Sequence, residues 1–239
     1  MPFMMAEATV NLLAAATFFV GIHFVIAGSR LRDTIVRAIG ERAYSGLFSL
    51  ASVIGLVWLA MAYNRASVET FTLLWIPAPW WQHVAMTVIL IAAVLVVLGL
   101  TTKSPTSVGQ EELVDAPHVV EGIQRVTRHP FLWGVLLWAL AHIALNGDVS
   151  SLIFFGSFAL LGIFGPPSID AKRARKLGAR WQGYAQQTSN VPFAAILAGR
   201  NTLKLSEIGF VRPAAGVAVY FALLYAHQWL FGVSALPGG

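Results

Sequence analysis

Six intervals of this chain contain no Asp, Glu, Lys or Arg: residues 8–29, 43–64, 70–102, 129–147, 149–169 and 213–239. A helix that crosses the hydrocarbon of a bilayer needs roughly 20 mostly apolar residues, so each interval is a candidate span. The chain is 57% hydrophobic and only 11% charged, against about 25% charged for an ordinary soluble domain, and its solvent is therefore lipid. The fold expected is all-α: an integral membrane six-helix bundle forming a single domain over 1–239, with helices at 8–27, 44–63, 81–100, 131–145, 150–164 and 213–233. The fourth and fifth are short and are joined only by Asn146-Gly147-Asp148, which makes them a tight antiparallel hairpin.

Charge sets the orientation. The loops at 28–42, 101–128 and 165–212 hold four, three and eight of the sixteen Lys and Arg residues, leaving Arg65 alone on the other side. By the positive-inside rule these loops face the cytoplasm and both termini lie outside. Trp58, Trp75, Trp80, Trp81 and Trp229 fall near the predicted outer surface, while Trp181 and Tyr184 lie in the basic inner loop. The first helix does not read as a signal peptide, because MPFMMAEATV lacks the Lys or Arg of a positive n-region. A pI near 9.9 is accounted for by loop charge. No basic stripe interleaved with aromatics points to nucleic acid.

Between the spans, residues 108–127 place Val119, Val120, Ile123 and Val126 at helical spacing beside Glu111, Glu112, Glu121 and Arg125, which predicts a short amphipathic helix on the cytoplasmic surface. VPFAAILAG, 191–199, is too short to span and is expected at the interface or over the bundle. DAKRARKLGARWQGY, 170–184, carries five Lys and Arg residues and reads as a solvated, topology-setting helix touching anionic membrane lipid. No internal repeat, P-loop, GxGxxG or GxSxG arrangement is present.

RHPFLWGVLLWALAHIALNGD, 128–148, raises the question of chemistry, since His129 and His142 bracket an apolar run. His129 opens a helix beside Pro130, where Arg128 can meet phosphate or carboxylate. His142 lies inside the hydrocarbon, as does His23 in GIHFVIAGSRLR, and an intramembrane titratable ring is a functional-site hypothesis by default. His227 lies in the outer half of the last helix, His83 opens the third, and His118 is in a polar loop. With no cysteine in the chain, disulfides, iron–sulfur clusters and Cys-based zinc sites are excluded. Histidines facing one another from different helices suit axial ligation of haem b better than a water-bearing zinc site. Arg30 and Arg32 are candidate partners for its propionates. By depth alone, at about 1.5 Å per residue, His142 pairs most easily with His227, and His23 with His129.

The segments GIHFVIAGSRLRDTIVRAIGERAYSGLFSLASVIGLVW, RHPFLWGVLLWALAHIALNGDVSSLIFFGSFALLGIFG and IDAKRARKLGARWQGYAQQTSNVPFAAI resemble the NnrU family of bacterial inner-membrane proteins over essentially the whole chain. That resemblance implies a place in denitrification and nitric oxide metabolism. It also implies kinship to the plant 15-cis-zeta-carotene isomerase, a membrane enzyme thought to hold haem b between two histidines. Carried over by motif, those metal ligands are His23 and His142, while His129 matches the RHP histidine and is not a ligand. An activity of this kind is a haem-dependent isomerase or oxidoreductase. Arg-His-Pro followed by a charged helix ending in Gly-x-x-Tyr also resembles the isoprenylcysteine and phospholipid methyltransferases, which implies S-adenosylmethionine at Arg128, His129, Gly134 and Tyr184. The chain departs from that pattern at Ile169-Asp170-Ala171-Lys172, where such enzymes place a Glu pair. A third expectation is a non-catalytic assembly partner of a respiratory, nitric oxide reducing complex.

Overall fold

The computed structural model describes residues 2–236, with side chains from residue 7 onward. The order of elements is α1 (Pro2–Gly21), which runs on into a π-helical segment (Ile22–Ala27), then α2 (Leu31–Ile39), α3 (Glu41–Glu69) and α4 (Trp81–Thr101). A 3₁₀ turn (Glu111–Asp115) and the one-turn α5 (Ile123–Val126) precede α6 (Pro130–Asn146) and α7 (Val149–Leu177). The chain ends with α8 (Ala179–Gln187), α9 (Ala194–Leu197), α10 (Leu205–Ile208) and α11 (Val211–Phe231). Among the described residues the extended structure amounts to an isolated bridge between Leu73 and Asp148.

Five helices are long and apolar enough to cross a membrane: Glu7–Ala27, Glu41–Glu69, Trp81–Thr101, Val149–Leu177 and Val211–Phe231. Pro130–Asn146 is a shorter apolar helix. The protein is thus a multi-pass membrane protein, and its outward-facing Met61, Leu100 and Trp229 are exposed as lipid-facing side chains are.

Contacts divide the chain into two compact units, Met1–Trp81 with Ala139–Ser168, and Gln82–Trp138 with Ile169–Gly239. In the first, Ala8, Leu12, Ala15, Ala16 and Phe19 of α1 recur at helical spacing and pack on Leu59, Ala62 and Ala66 of α3. So many alanines let the two backbones approach closely, which is how helices associate where apolar surface alone gives no advantage over lipid. Side-chain bonds between elements supplement this packing: Trp58 Nε1 donates to Asn11 Oδ1 at 3.1 Å, Thr9 Oγ1 to Thr70 Oγ1 at 3.1 Å, and the Tyr63 and Ser151 hydroxyls meet at 3.0 Å.

The α6–α7 hairpin turns on Gly147, whose φ is +68°. Asp148 caps α7 by accepting from Ser151 N at 2.9 Å. Leu74 N and Trp75 N both donate to Gly147 O, and Val149 N to Thr72 O. A Cβ at 147 would collide with the Trp75 carbonyl oxygen, so positive φ and close approach both require glycine.

Two expectations are corrected. The predicted helix 150–164 extends to Leu177, straight through Pro166 and Pro167. Paired prolines remove two backbone donors, but their fixed φ is helical, and side-chain bonds from Asp170 and Arg173 anchor the turns beyond them. The predicted interfacial helix over 108–127 does not form. Gly109 and Gly122 take φ values of +73° and +57°, and Pro117 cannot donate to a ladder. The apolar face points inward: Val114, Ile123 and Val126 are buried, Glu111 pairs with Arg173, and Arg125 holds Glu207. The run 191–199 contributes one helical turn, α9, after Phe193, a non-glycine residue at φ +65°.

In the second unit, α4 and α6 meet through glycine from both sides. A Cβ on Gly99 would lie 2.5 Å from Phe131 N, and one on Gly134 would lie 2.7 Å from Ala92 O. Gly99→Ala and Gly134→Ala should each destabilise by about 1–3 kcal/mol, the usual cost of overpacking. Thermal unfolding in detergent reads this as a lowered midpoint. Gly46→Ala, whose Cβ would meet nothing within 4 Å, should leave that midpoint unchanged or slightly raised.

Candidate functional site

His23 stands in the π segment, where one widened turn interrupts the α-helical ladder. Such bulges are rare and gather at functional sites. A Cβ on Gly28, which follows the segment, would lie 2.6 Å from Ser168 Oγ and 2.8 Å from Phe24 O, so the turn closes where no side chain fits. His23 Nδ1 lies 2.7 Å from Phe19 O. A carbonyl can only accept, so Nδ1 carries the proton, and the Nε2 of the neutral ring keeps its lone pair. Metal-binding imidazoles are oriented in this way, with one nitrogen fixed by a backbone carbonyl and the other presented as ligand.

His142, on α6, stacks on Phe155 with ring centroids 4.7 Å apart and planes at 25°. A run of aromatic rings links it to His23. Phe155 meets Phe154 at 5.0 Å, Phe154 meets Phe158 at 5.3 Å, Phe158 meets Phe19 at 5.6 Å, and Phe19 meets His23 at 4.8 Å. Tyr63 stacks on Phe154 at 4.5 Å. Both histidines and all these rings belong to the same compact unit.

Each pairing suggested by depth takes one imidazole from each unit. His129 Nε2 is bonded to Asp170 Oδ1 at 2.7 Å, whereas His227 Nδ1 is held by Val233 O at 2.8 Å, the arrangement also found at His23. Among the described residues no group of three His, Asp or Glu side chains is placed to hold a metal ion. A metal bound by protein ligands alone would lack donors, whereas a porphyrin brings four nitrogens and asks the protein only for axial ones. A neutral imidazole with one nitrogen held by a carbonyl, as at His23, is a donor of the kind such a position takes. Arg30 is exposed and makes no ion pair among the described residues. Arg32, the other candidate for a propionate, is already engaged: it pairs with Glu41 and Asp33 and lies over the Tyr44 ring.

The second unit holds a different cluster. Asp170 accepts from Arg128 Nε at 2.9 Å and Nη2 at 2.5 Å as well as from His129. The Arg128 guanidinium lies 5.8 Å from the Trp181 ring centroid. Around them Thr127 Oγ1 donates to Asn190 O and caps His129 N, and Trp133 Nε1 donates to Asn190 O at 2.9 Å. Tyr184 Oη donates to Gln124 Oε1, and its hydroxyl pKa is pushed up by burial. Burial holds the His129 pKa below its ordinary value, against the opposing pull of Asp170. With Arg128 already neutralising the carboxylate, His129 donates Nε2–H to it as an uncharged ring. Arg128, His129 and Tyr184 thus have their polar groups committed within the protein, and Gly134 serves the α4–α6 crossing. Asp170 was missed as a site residue, although it is the acid that closes the charge-free interval 149–169.

The sequence pattern of the family described as NnrU protein matches residues 11–235. The chain is 30% identical over 236 residues to 15-cis-zeta-carotene isomerase, chloroplastic, of Arabidopsis thaliana, covering 94% of this chain and 61% of that protein. It is 28% identical over 202 residues to the enzyme of the same name from Zea mays, covering 81% and 52%. The chain thus spans little more than half the length of these curated relatives. No solved structure matches it.

The Asp170 cluster has a pH signature. Because the folded state depresses the His129 pKa, the unfolded chain binds more protons below about pH 6.5, and stability is present above that pH and lost as pH falls through it. Thermal unfolding in detergent at pH 7.5 and pH 5 should show this loss, with a shallower dependence in His129→Gln. Asp170→Asn should cost on the order of 3 kcal/mol at pH 7.5, because it leaves a half-buried guanidinium without its counter-ion.

Proposed function

Because the chain belongs to the NnrU family, we propose that it is an isomerase-type membrane protein that holds haem b between His23 and His142. The observation that carries this reading is the His23 imidazole, fixed through Nδ1 by the Phe19 carbonyl inside a π turn. Its relatives' name specifies a carotene, and a conjugated apolar chain of that class dissolved in the bilayer is the substrate this site suits. Haem held there by His23 and His142 would supply one-electron redox chemistry. The protein's own part is to orient two imidazoles and exclude water. Phe19, Phe154, Phe155 and Phe158, with Tyr63 against them, pack ring on ring between the two histidines and keep water from the imidazoles. Arg30, one turn beyond the π segment, is available to a carboxylate. A role in nitric oxide metabolism would draw on the same redox chemistry.

The proposal places the chain in a bacterial inner membrane as six spans with both termini outside. Pro130–Asn146 is the sixth, since 17 residues rise about 25 Å, at the short end of the spanning range. S-adenosylmethionine at Arg128, His129, Gly134 and Tyr184 draws less support, because those side chains are tied to Asp170 and Gln124.

Protein purified in detergent after expression with ample haem should show a Soret band that shifts on reduction with dithionite. His23→Ala and His142→Ala should each abolish it. A wild-type protein without Soret absorbance sinks the haem assignment, and copurification of such a protein with a respiratory complex would turn the reading to an assembly partner. Calorimetric binding of S-adenosylmethionine, lost in Arg128→Ala, would favour the methyltransferase-like alternative. The topology has its own check, made simple by the absence of cysteine. A membrane-impermeant maleimide should label Val68→Cys in intact spheroplasts, and Val108→Cys only after lysis. Both positions are largely exposed, and the reverse pattern would invert the orientation.

A further inference from the structure

Tyr44, near the start of α3, is 6% exposed. Its hydroxyl is buried without a hydrogen-bond partner, as is Ser52 Oγ two turns further on. An unmet donor in a buried position is costly, and its persistence asks for an explanation. Spacing provides one, since Tyr44, Phe48 and Ser52 stand at i, i+4 and i+8 and share one helix face. Phe48 meets the His23 ring edge-on at 5.3 Å, and Tyr44 stacks on Phe48 at 6.0 Å. The orphan phenol therefore belongs to the same ring cluster as the candidate ligand His23.

The charge around it selects the missing partner. The Arg32 guanidinium lies 5.2 Å from the Tyr44 ring centroid and neutralises Glu41 and Asp33. Arg30, between His23 and Arg32 in the sequence, is exposed and has no ion pair among the described residues. A buried O–H donor out of water, with a guanidinium 5.2 Å from its own ring, favours an anionic oxygen as its acceptor. We infer that the Tyr44 hydroxyl binds the carboxylate of a ligand seated at His23. This rests on the reading of that histidine as a binding residue. The carboxylate comes either from a porphyrin propionate or from a fatty acid of the bilayer.

The variant is Tyr44→Phe, which keeps the ring and its stacking. Haem release to an external scavenger is followed by decay of the Soret band, using haem b and its propionate dimethyl ester. With haem b, Tyr44→Phe should release about tenfold faster than wild type, the loss of one charge-assisted hydrogen bond. With the diester, the two proteins should release at the same rate. If haem release is unaffected but delipidated Tyr44→Phe fails to retain oleate in native mass spectrometry where wild type retains it, the carboxylate is that of a lipid. Equal haem release together with equal oleate retention overturns the inference, and so does faster release of haem b and diester alike. A wild type that binds no haem yet loses oleate with the phenol sinks the haem reading alone.

Discussion

A donor or acceptor inside hydrocarbon has no water to turn to, and the organisation of this protein follows from where each one is met. Thr9 meets Thr70, Trp58 meets Asn11, and Tyr63 meets Ser151. The irregular residues between α4 and α6 are ordered by the same demand, through Arg173 on Glu111 and Arg125 on Glu207. The Glu207 carboxyl is drawn down to about 2 by Arg125 and the Gly122 N–H. Among the buried hydroxyls of the described residues the pairing stops at Tyr44 and Ser52, on the helix face that carries Phe48 to the His23 ring.

Packing sets the distances at which these pairs work. Alanines between α1 and α3, and glycines at 99 and 134 between α4 and α6, let backbones approach where larger residues would hold them apart. Gly147 does the same for a loop, seating the α6–α7 turn against the Trp75 carbonyl so that His142 and Phe155 stack across the hairpin.

The apolar helices were legible because their signal is local: twenty residues without a charge need no tertiary context. The Asn146-Gly147-Asp148 turn was legible for the same reason, with glycine where φ is positive and aspartate where a helix begins. His23 and His142 could be picked out as rings in the wrong solvent. Their shared ring cluster could not, because Phe19, Phe154, Phe155 and Phe158 look like any core phenylalanines until the helices are placed. The segment 108–127 misled for a related reason. Its valines have helical spacing, but Gly109, Pro117 and Gly122 break the ladder, and the buried Arg173 that claims Glu111 lies 62 residues away. Asp170 was visible as a residue and invisible as a partner, since its two donors precede it by some forty positions.

The π turn gives this protein a particular kind of fragility. A helix carries such a turn when it holds one residue more than its regular ladder accommodates, so removing any one of residues 24–27 would restore an ordinary helix and preserve the span. The ring of His23 would then swing by about a quarter turn or more relative to the residues beyond it, away from Phe48. A single deletion would thus cost the imidazole its placement while leaving the histidine itself in the chain.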